Sequence, residues 1–368
     1  MGDPRLDKLA RVLVRYSVAV KRDQLVRIHG APVSLPLIET LFREVIEVGG
    51  HPYVEIGSES TNEIFLKRAN DDQLKYVSPI RKYAVEQIDA SIGIWADENT
   101  KALSNVDPNR QAIASAARRP VMETFLKRAA QGELRWTGTQ YPTQASAQDA
   151  EMSLGEYEDF VFNAGLLQEN DPISAWKEIS QRQARFVDFL NQKQDIRIQA
   201  PNGTDLSFSV AGRTWINCDG HENFPDGEVF SAPVEDSVNG TIEYSFPAVH
   251  NGREVHDIRL TFEDGQVVDA SASKNQDYLI GMLDQDPGAR ILGECAVGTN
   301  YSITQYTRNT LFDEKIGGTC HLALGATYPE TGGKNSSGLH WDMVCDLRKG
   351  WTIAADGEVF HKDGQWQV

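Results

Sequence analysis

QLVRIHGAPVSLPLIETLFREVIEVGGHPYVEI, residues 24–56, sets the fold class of the first half of the chain. Gln24–His29 (QLVRIH) reads as a short strand. Leu35–Val48 (LPLIETLFREVIEV) carries its apolar residues at helical spacing and is stopped by Gly49-Gly50. His51–Ile56 reads as the next strand. The pattern continues on both sides. Leu6, Leu9, Val12, Leu13 and Tyr16 fall on one helical face ahead of the first strand. Asp89–Trp95 (DASIGIW) is a more apolar strand, expected at the centre of a sheet; Arg110–Ala130 is helical and Leu134–Thr137 is a fourth strand. Strands alternating with helices predict an α/β domain whose mostly parallel sheet is covered on both faces.

Two more helical stretches follow, near Leu154–Leu167 and Ile173–Asn191. The second carries Trp176, Ile179, Phe186, Phe189 and Leu190 before a polar NQKQD segment. A domain boundary is expected near 192, giving an N-terminal domain over 1–191 and a C-terminal one over 192–368. Beyond 192 the segments shorten and become β-branched: Ile196–Ile198, Leu206–Val210, Thr241–Phe246, Asp257–Phe262 and Val267–Ala272. Pro201-Asn202-Gly203, His250-Asn251-Gly252 and Glu263-Asp264-Gly265 separate them, and Asn-Gly or Asp-Gly between apolar alternations marks a hairpin. The C-terminal domain is therefore predicted to be mainly antiparallel β (α+β). It has one helix from Asn275 to about Leu283 and a last hairpin centred on Lys362-Asp363-Gly364.

Composition narrows the function classes. The content is 40% hydrophobic and 9% aromatic, that of a globular protein rather than a disordered one. Acidic residues outnumber basic ones, 53 to 36, for a net charge of −17. That balance disfavours nucleic acid, whose binding rests on neutralising phosphates; an acidic field attracts cations or a peptide's ammonium end, but charge alone is more simply read as a surface that keeps the protein in solution. No apolar run reaches membrane-spanning length, and the charged opening DPRLDKLARVLVRY does not resemble a signal peptide. A cytoplasmic location is expected. Cys218, Cys295, Cys320 and Cys345 form no CxxC pair and read as reduced thiols.

The first half carries no phosphate-binding motif: HGAPVS after the first strand lacks the glycine spacing of a GxGxxG or Walker loop. Its expected role is scaffold, substrate wall or dimer surface. The second half holds acids and histidines in order: Glu228 in FPDGEVF, Glu294 in LGE, Glu314 in NTLFDE, His321 in CHLALG, then Tyr328, then His340 and Asp342 in LHWD. His340 and Asp342 stand two apart, so a strand turns both to one side. An imidazole and a carboxylate so placed suit Zn²⁺, Mn²⁺, Co²⁺ or Fe²⁺. His321, in a run of small apolar residues, also fits a buried structural histidine.

At these blocks the sequence resembles the thermophilic-type metalloaminopeptidases, peptidase family M29. The likeness runs from DPRLDKLARVLVRYSVAVKRDQLVRI through NFPDGEVFSAPVEDSVNGTI, GARILGE, NTLFDEK, CHLALG and LHWDM. The resemblance implies a metal-dependent aminopeptidase with two divalent ions per chain (Zn, Co, Mn or Mg). They would be held by Glu228, Glu294, Glu314, His321, His340 and Asp342. It gives Glu294 the place of the carboxylate shared by the ions, bridging them, moving a water's proton, or both. Tyr328 takes the place of the catalytic tyrosine. It further implies peptide substrates with a free N-terminus and a homodimer; charge and the lack of a long apolar run predict no nucleic acid or membrane partner. Gly227 departs from the pattern, standing where many members have a second Glu. The stretches Glu294–Glu314 and Tyr328–His340 look shortened.

Two other readings use the same residues differently. Some relatives of the family resemble ring-cleaving dioxygenases of hydroxypyridines, whose single Fe²⁺ would be held here by His321, His340 and Asp342. That reading leaves Glu228, Glu294 and Glu314 without a reason to be acidic. A nucleotide-binding module in the first half fails on the missing glycine-rich loop.

Overall fold

The computed structural model describes residues 3–368. The chain folds into two compact units. The first takes the chain up to Ile173 together with Gly220–Pro225; the second comprises Ser174–Asp219 and Asp226–Val368.

In the first unit, β1 (Leu25–Gly30), β2 (His51–Ile56), β3 (Ala90–Trp95) and β4 (Arg135–Gln140) join the short strand Asn223–Phe224 in one sheet. The order is β2, β1, β3, β4, Asn223–Phe224, and every pair is parallel. The central position expected for Asp89–Trp95 is met, since Ala90–Ile94 are all buried. The helix Leu35–Glu47 turns Leu37, Ile38, Leu41 and Val45 into the core, and each such side chain contributes roughly 1.5–3 kcal/mol. Gly49, at φ 85°, ends it as expected. The long helix runs Pro108–Ala130, starting two residues earlier than expected because the Asp107 side chain caps it and Pro108 occupies its first position. Four helices were not foreseen: Glu59–Arg68, Asp71–Lys75, Pro79–Gln87 and Gln144–Asp149. The first three bury only Leu66, Leu74 and Val85 respectively, so they leave almost no apolar periodicity.

The second unit is built on antiparallel sheets. An eight-stranded sheet runs Gln266–Ser271, Arg259–Glu263, Asn239–Glu243, Asp205–Ser209, Asp195–Gln199, Thr352–Ala355, Glu358–Lys362, Gln365–Trp366. A five-stranded sheet consists of β5 (Ile216–Cys218), β6 (Glu228–Ser231), β7 (Leu292–Gly298), β8 (Thr319–Gly325) and β9 (His340–Asp346), in the order β9, β8, β7, β6, β5. The hairpin signals act as read: Asn251-Gly252, Asp264-Gly265 and Asp363-Gly364 all have positive φ, the backbone that a two-residue hairpin turn requires. Residues of both sheets share one apolar cluster, including Ile196, Leu206, Ile242 and Leu260 from the larger and Cys295, Leu322, Trp341 and Met343 from the smaller. Phe186 and Leu190, near the end of the helix Pro172–Leu190, pack into this same cluster. The division between units therefore falls at Ile173/Ser174 rather than near 192, because that helix serves the β core. Among the described residues no helix is long and apolar enough to cross a membrane.

Candidate metal centre

The five-stranded sheet sorts its side chains by the two-residue period of a strand. Val229, Cys295, Val297, Cys320, Leu322, Leu324, Trp341, Met343 and Cys345 belong to the apolar cluster. The alternate residues face the other way. Register places Ala323 beside both Glu294 of β7 and Asp342 of β9, and Gly325 beside His340. It sets His321 beside Ala296, Ala296 beside Phe230, and Glu228 two residues before Phe230. One sheet face thus carries Glu228, Glu294, His321, His340 and Asp342, with Ala296, Ala323 and Gly325 leaving room between them. Glu314 follows the short helix Thr310–Asp313, whose start is capped by the Asn309 side chain.

The side chains converge. Glu294 touches both imidazoles, Oε1 at 3.2 Å from His321 Nε2 and Oε2 at 3.3 Å from His340 Nε2. Asp342 Oδ1 lies 3.5 Å from His340 Nε2 and 4.0 Å from His321 Nε2. Glu228 Oε2 is 3.6 Å from His321 Nε2 and has no hydrogen-bond partner although buried. Among the described residues, ligand atoms of Glu294, His340 and Asp342 lie within 4.8 Å of one another, as do those of Glu314, His321 and Asp342. Asp342 is common to both trios and reaches both histidines through Oδ1, while Glu294 sets a different oxygen against each histidine. The six acids and histidines singled out in the sequence are thus brought together.

These residues fit divalent cations. His321 Nδ1 donates to the Glu314 carbonyl at 3.1 Å and His340 Nδ1 to the Ala326 carbonyl at 2.9 Å. Each ring's tautomer is fixed by that bond, so Nε2 presents its lone pair to the carboxylates, the usual backing of a metal-binding histidine. Two lone pairs aimed at a nest of buried carboxylates call for cations between them. Protons fill that need in the bare protein. Against the cost of burial, the hydrogen bond and charge of Glu294, with the neighbouring acids, raise His321 to about 10; Asp342 and Glu294 raise His340 to about 11. Burial lifts Glu228 to about 8 despite the Lys315 ammonium beside it. Burial works upward on Asp342 too, but the hydrogen bond from His340 wins and holds it down at about 2.

Tyr328 follows β8 and packs its ring edge-on against His340, centroids 5.1 Å apart, and against Phe230 at 5.6 Å. The residue is 44% exposed. Partial burial of the phenol and the facing carboxylates push its pKa above the ordinary tyrosine value, so it stays a proton donor.

Two residues of the cluster were missed in the sequence. Lys315 is fully buried, with Nζ 3.4 Å from Glu228 Oε1 and 4.0 Å from Asp226 Oδ1, and it donates to Glu314 Oε1. Asp226 lies two residues before Glu228, a spacing that signals a shared face, and NTLFDEK holds the lysine next to Glu314. Gly227 between the two acids has φ 125°, and a Cβ there would lie 2.6 Å from the Asn300 Cβ. The second Glu expected from the resemblance would be strained at that position.

The sequence profile of the thermophilic metalloprotease family (M29) matches residues 2–366. The chain belongs to family M29. Among M29 relatives, Aminopeptidase 2 of Geobacillus stearothermophilus is 31% identical over 407 aligned positions, covering 99% of this chain and 98% of that protein. Aminopeptidase T of Thermus aquaticus is 30% identical over 62% of this chain and 61% of its own length. The fold is shared with AmpT from Thermus thermophilus, at a TM-score of 0.86 and 24% identity, each chain covered to 99%. The 2,5-dihydroxypyridine dioxygenase of Pseudomonas putida KT2440 shares the fold more distantly, at a TM-score of 0.60 and 14% identity over 100% of this chain and 98% of that one. As an M29 member the protein is a metal-dependent peptide hydrolase.

Proposed function

We infer that this chain, a metal-dependent aminopeptidase of family M29, works with two divalent ions held by Glu228, Glu294, Glu314, His321, His340 and Asp342. One observation carries the reading: Asp226, Glu228, Glu294, Glu314 and Asp342 set five carboxylates against the single ammonium of Lys315. With both imidazoles neutral, four negative charges remain, the charge of two divalent cations. Zn, Co, Mn and Mg all suit such an oxygen-and-imidazole set. Glu294 is assigned the shared position because its two oxygens face different histidines.

When bound, such ions supply Lewis acidity, polarising a carbonyl and lowering the pKa of water towards neutrality. The chain's own groups do the rest. The chain's net charge of −17 draws the ammonium of a free peptide N-terminus. Tyr328 donates its phenolic proton as a hydrogen bond to the oxygen that becomes negative during attack, a contribution of roughly 3 kcal/mol where single donors have been removed. Among the described residues the α/β unit carries no comparable cluster, and it is read as scaffold and dimer surface. A homodimer in the cytoplasm completes the reading, supported by the family resemblance and by four free thiols. Light scattering tests the dimer.

The dioxygenase reading needs one iron on His321, His340 and Asp342, and leaves the buried Glu228 and Glu294 and the half-buried Glu314 without work. The deciding experiment combines elemental analysis with amino-acid release from peptides bearing free and blocked N-termini. Two ions and release only from free N-termini are expected. One iron per chain, or equal cleavage of blocked peptides, overturns the reading.

A further inference from the structure

Lys315 has no part in the reaction just described, yet it lies inside the cluster with none of its side chain exposed. A lysine is buried this far only when its charge is met. Its ammonium meets one carboxylate oxygen on each of two glutamates from different segments, Oε1 of Glu228 on β6 and Oε1 of Glu314 after the helix Thr310–Asp313. On Glu228 the other oxygen, Oε2, is left without a hydrogen bond and faces His321. Cys218, Asp226 and Glu228 also bring ligand atoms within 4.8 Å of one another, the arrangement of a further cation position. The ammonium lies against two of those three residues.

We propose that Lys315 is a positioning residue for metal capture. Its ammonium anchors Glu228 and Glu314 through one oxygen each, which on Glu228 leaves Oε2 facing His321 and holds the Glu314 carboxylate beside His321 and Asp342. It also fills the cation position beside Asp226, so that divalent ions load only on the histidine side. The proposal rests on the reading of Glu228 and Glu314 as ligands.

The sign of the effect separates this role from simple electrostatics. A positive charge beside a cation site opposes loading, so removing it without other consequence tightens metal binding. Loss of an anchor does the opposite, because the two carboxylates must then be ordered when the ion binds. Lys315→Met keeps an unbranched side chain, one atom shorter, and removes the charge. Its zinc affinity, measured by competition with a chromophoric chelator on protein shown to be folded by circular dichroism, is expected to be at least tenfold weaker than that of the wild type. Saturating zinc is expected to restore kcat with KM unchanged. Binding of the wild type's number of ions as tightly as the wild type, or more tightly, overturns the proposal.

A second measurement does not depend on the variant folding. Anomalous diffraction from wild-type crystals soaked in Mn²⁺ is expected to place ions on the histidine side, with Nζ still on both Oε1 atoms. An ion seated on those Oε1 atoms with the lysine displaced overturns it. The number of ions in the wild type tests the two-ion reading; the change from wild type to Lys315→Met tests Lys315.

Discussion

Tyr328 is held by ring contacts to His340 and Phe230 rather than by a ligand bond, so its chemistry is separable from metal capture. Tyr328→Phe is expected to retain the wild-type metal content while kcat falls about 100-fold, the loss of roughly 3 kcal/mol of transition-state stabilisation. Metal analysis and kinetics on the same sample check it; full turnover by a metal-loaded variant removes Tyr328 from the mechanism. His340→Ala or Asp342→Ala is expected to abolish activity by losing metal, visible directly in elemental content. At this scale the sequence was informative where chemistry and strand period coincide. His340 and Asp342 could be placed on one side from spacing alone. Lys315 was not legible, because its partners Asp226 and Glu228 are distant in sequence and a lysine after a glutamate ordinarily reads as solvated surface.

The strands of the five-stranded sheet owe their capacity for charge to their small residues. Ala323 stands between Glu294 and Asp342 in the register, and a branched side chain there would intrude on the space between the carboxylates. Ala323→Leu is expected to lower metal content, with an overpacking cost of about 1–3 kcal/mol measured by denaturant unfolding. The alternation of this sheet was readable in CHLALG only once the neighbouring strands supplied the matching acids; alone, His321 in an apolar run fits a structural histidine equally well. Glu59–Gln87 stayed silent for the opposite reason, since its helices bury too few side chains to leave a period. The last hairpin was legible from Asp363-Gly364, but not the burial of His361 within it. Both ring nitrogens of His361 lack partners, and burial holds its pKa down at about 4. The folded state therefore binds that proton less readily than the unfolded chain, and stability is lost as pH falls below about 6.5. His361→Leu is expected to unfold at a higher temperature than the wild type at pH 5 and to narrow that difference at pH 8.

Across the whole molecule the cluster couples metal, protons and stability. His321 and His340, raised to about 10 and 11, and Glu228, raised to about 8, all hold protons more tightly in the metal-free folded chain than in the unfolded one. The stability contributed by the histidines is complete below about pH 6.5 and is lost as pH rises through their folded values; the Glu228 contribution is lost between about 4.5 and 8. The chelated protein is expected to melt at a lower temperature at pH 9 than at pH 7, and added divalent metal to reduce that difference. The two-unit organisation was legible from the change of pattern along the chain. Its limit was not, because the helix Pro172–Leu190 reads like the helices before it and only packing assigns Phe186 and Leu190 to the β core.

Two divalent ions on one face of this sheet, acting on free peptide N-termini, make up the proposed active centre. Metal content per chain, measured on the same preparation that is assayed with free and N-blocked peptides, tests it most directly. Two ions per chain, with release only from free N-termini and activity lost in proportion to metal removed, is the expected result. One ion per chain in fully active protein, or activity that survives complete chelation, contradicts it.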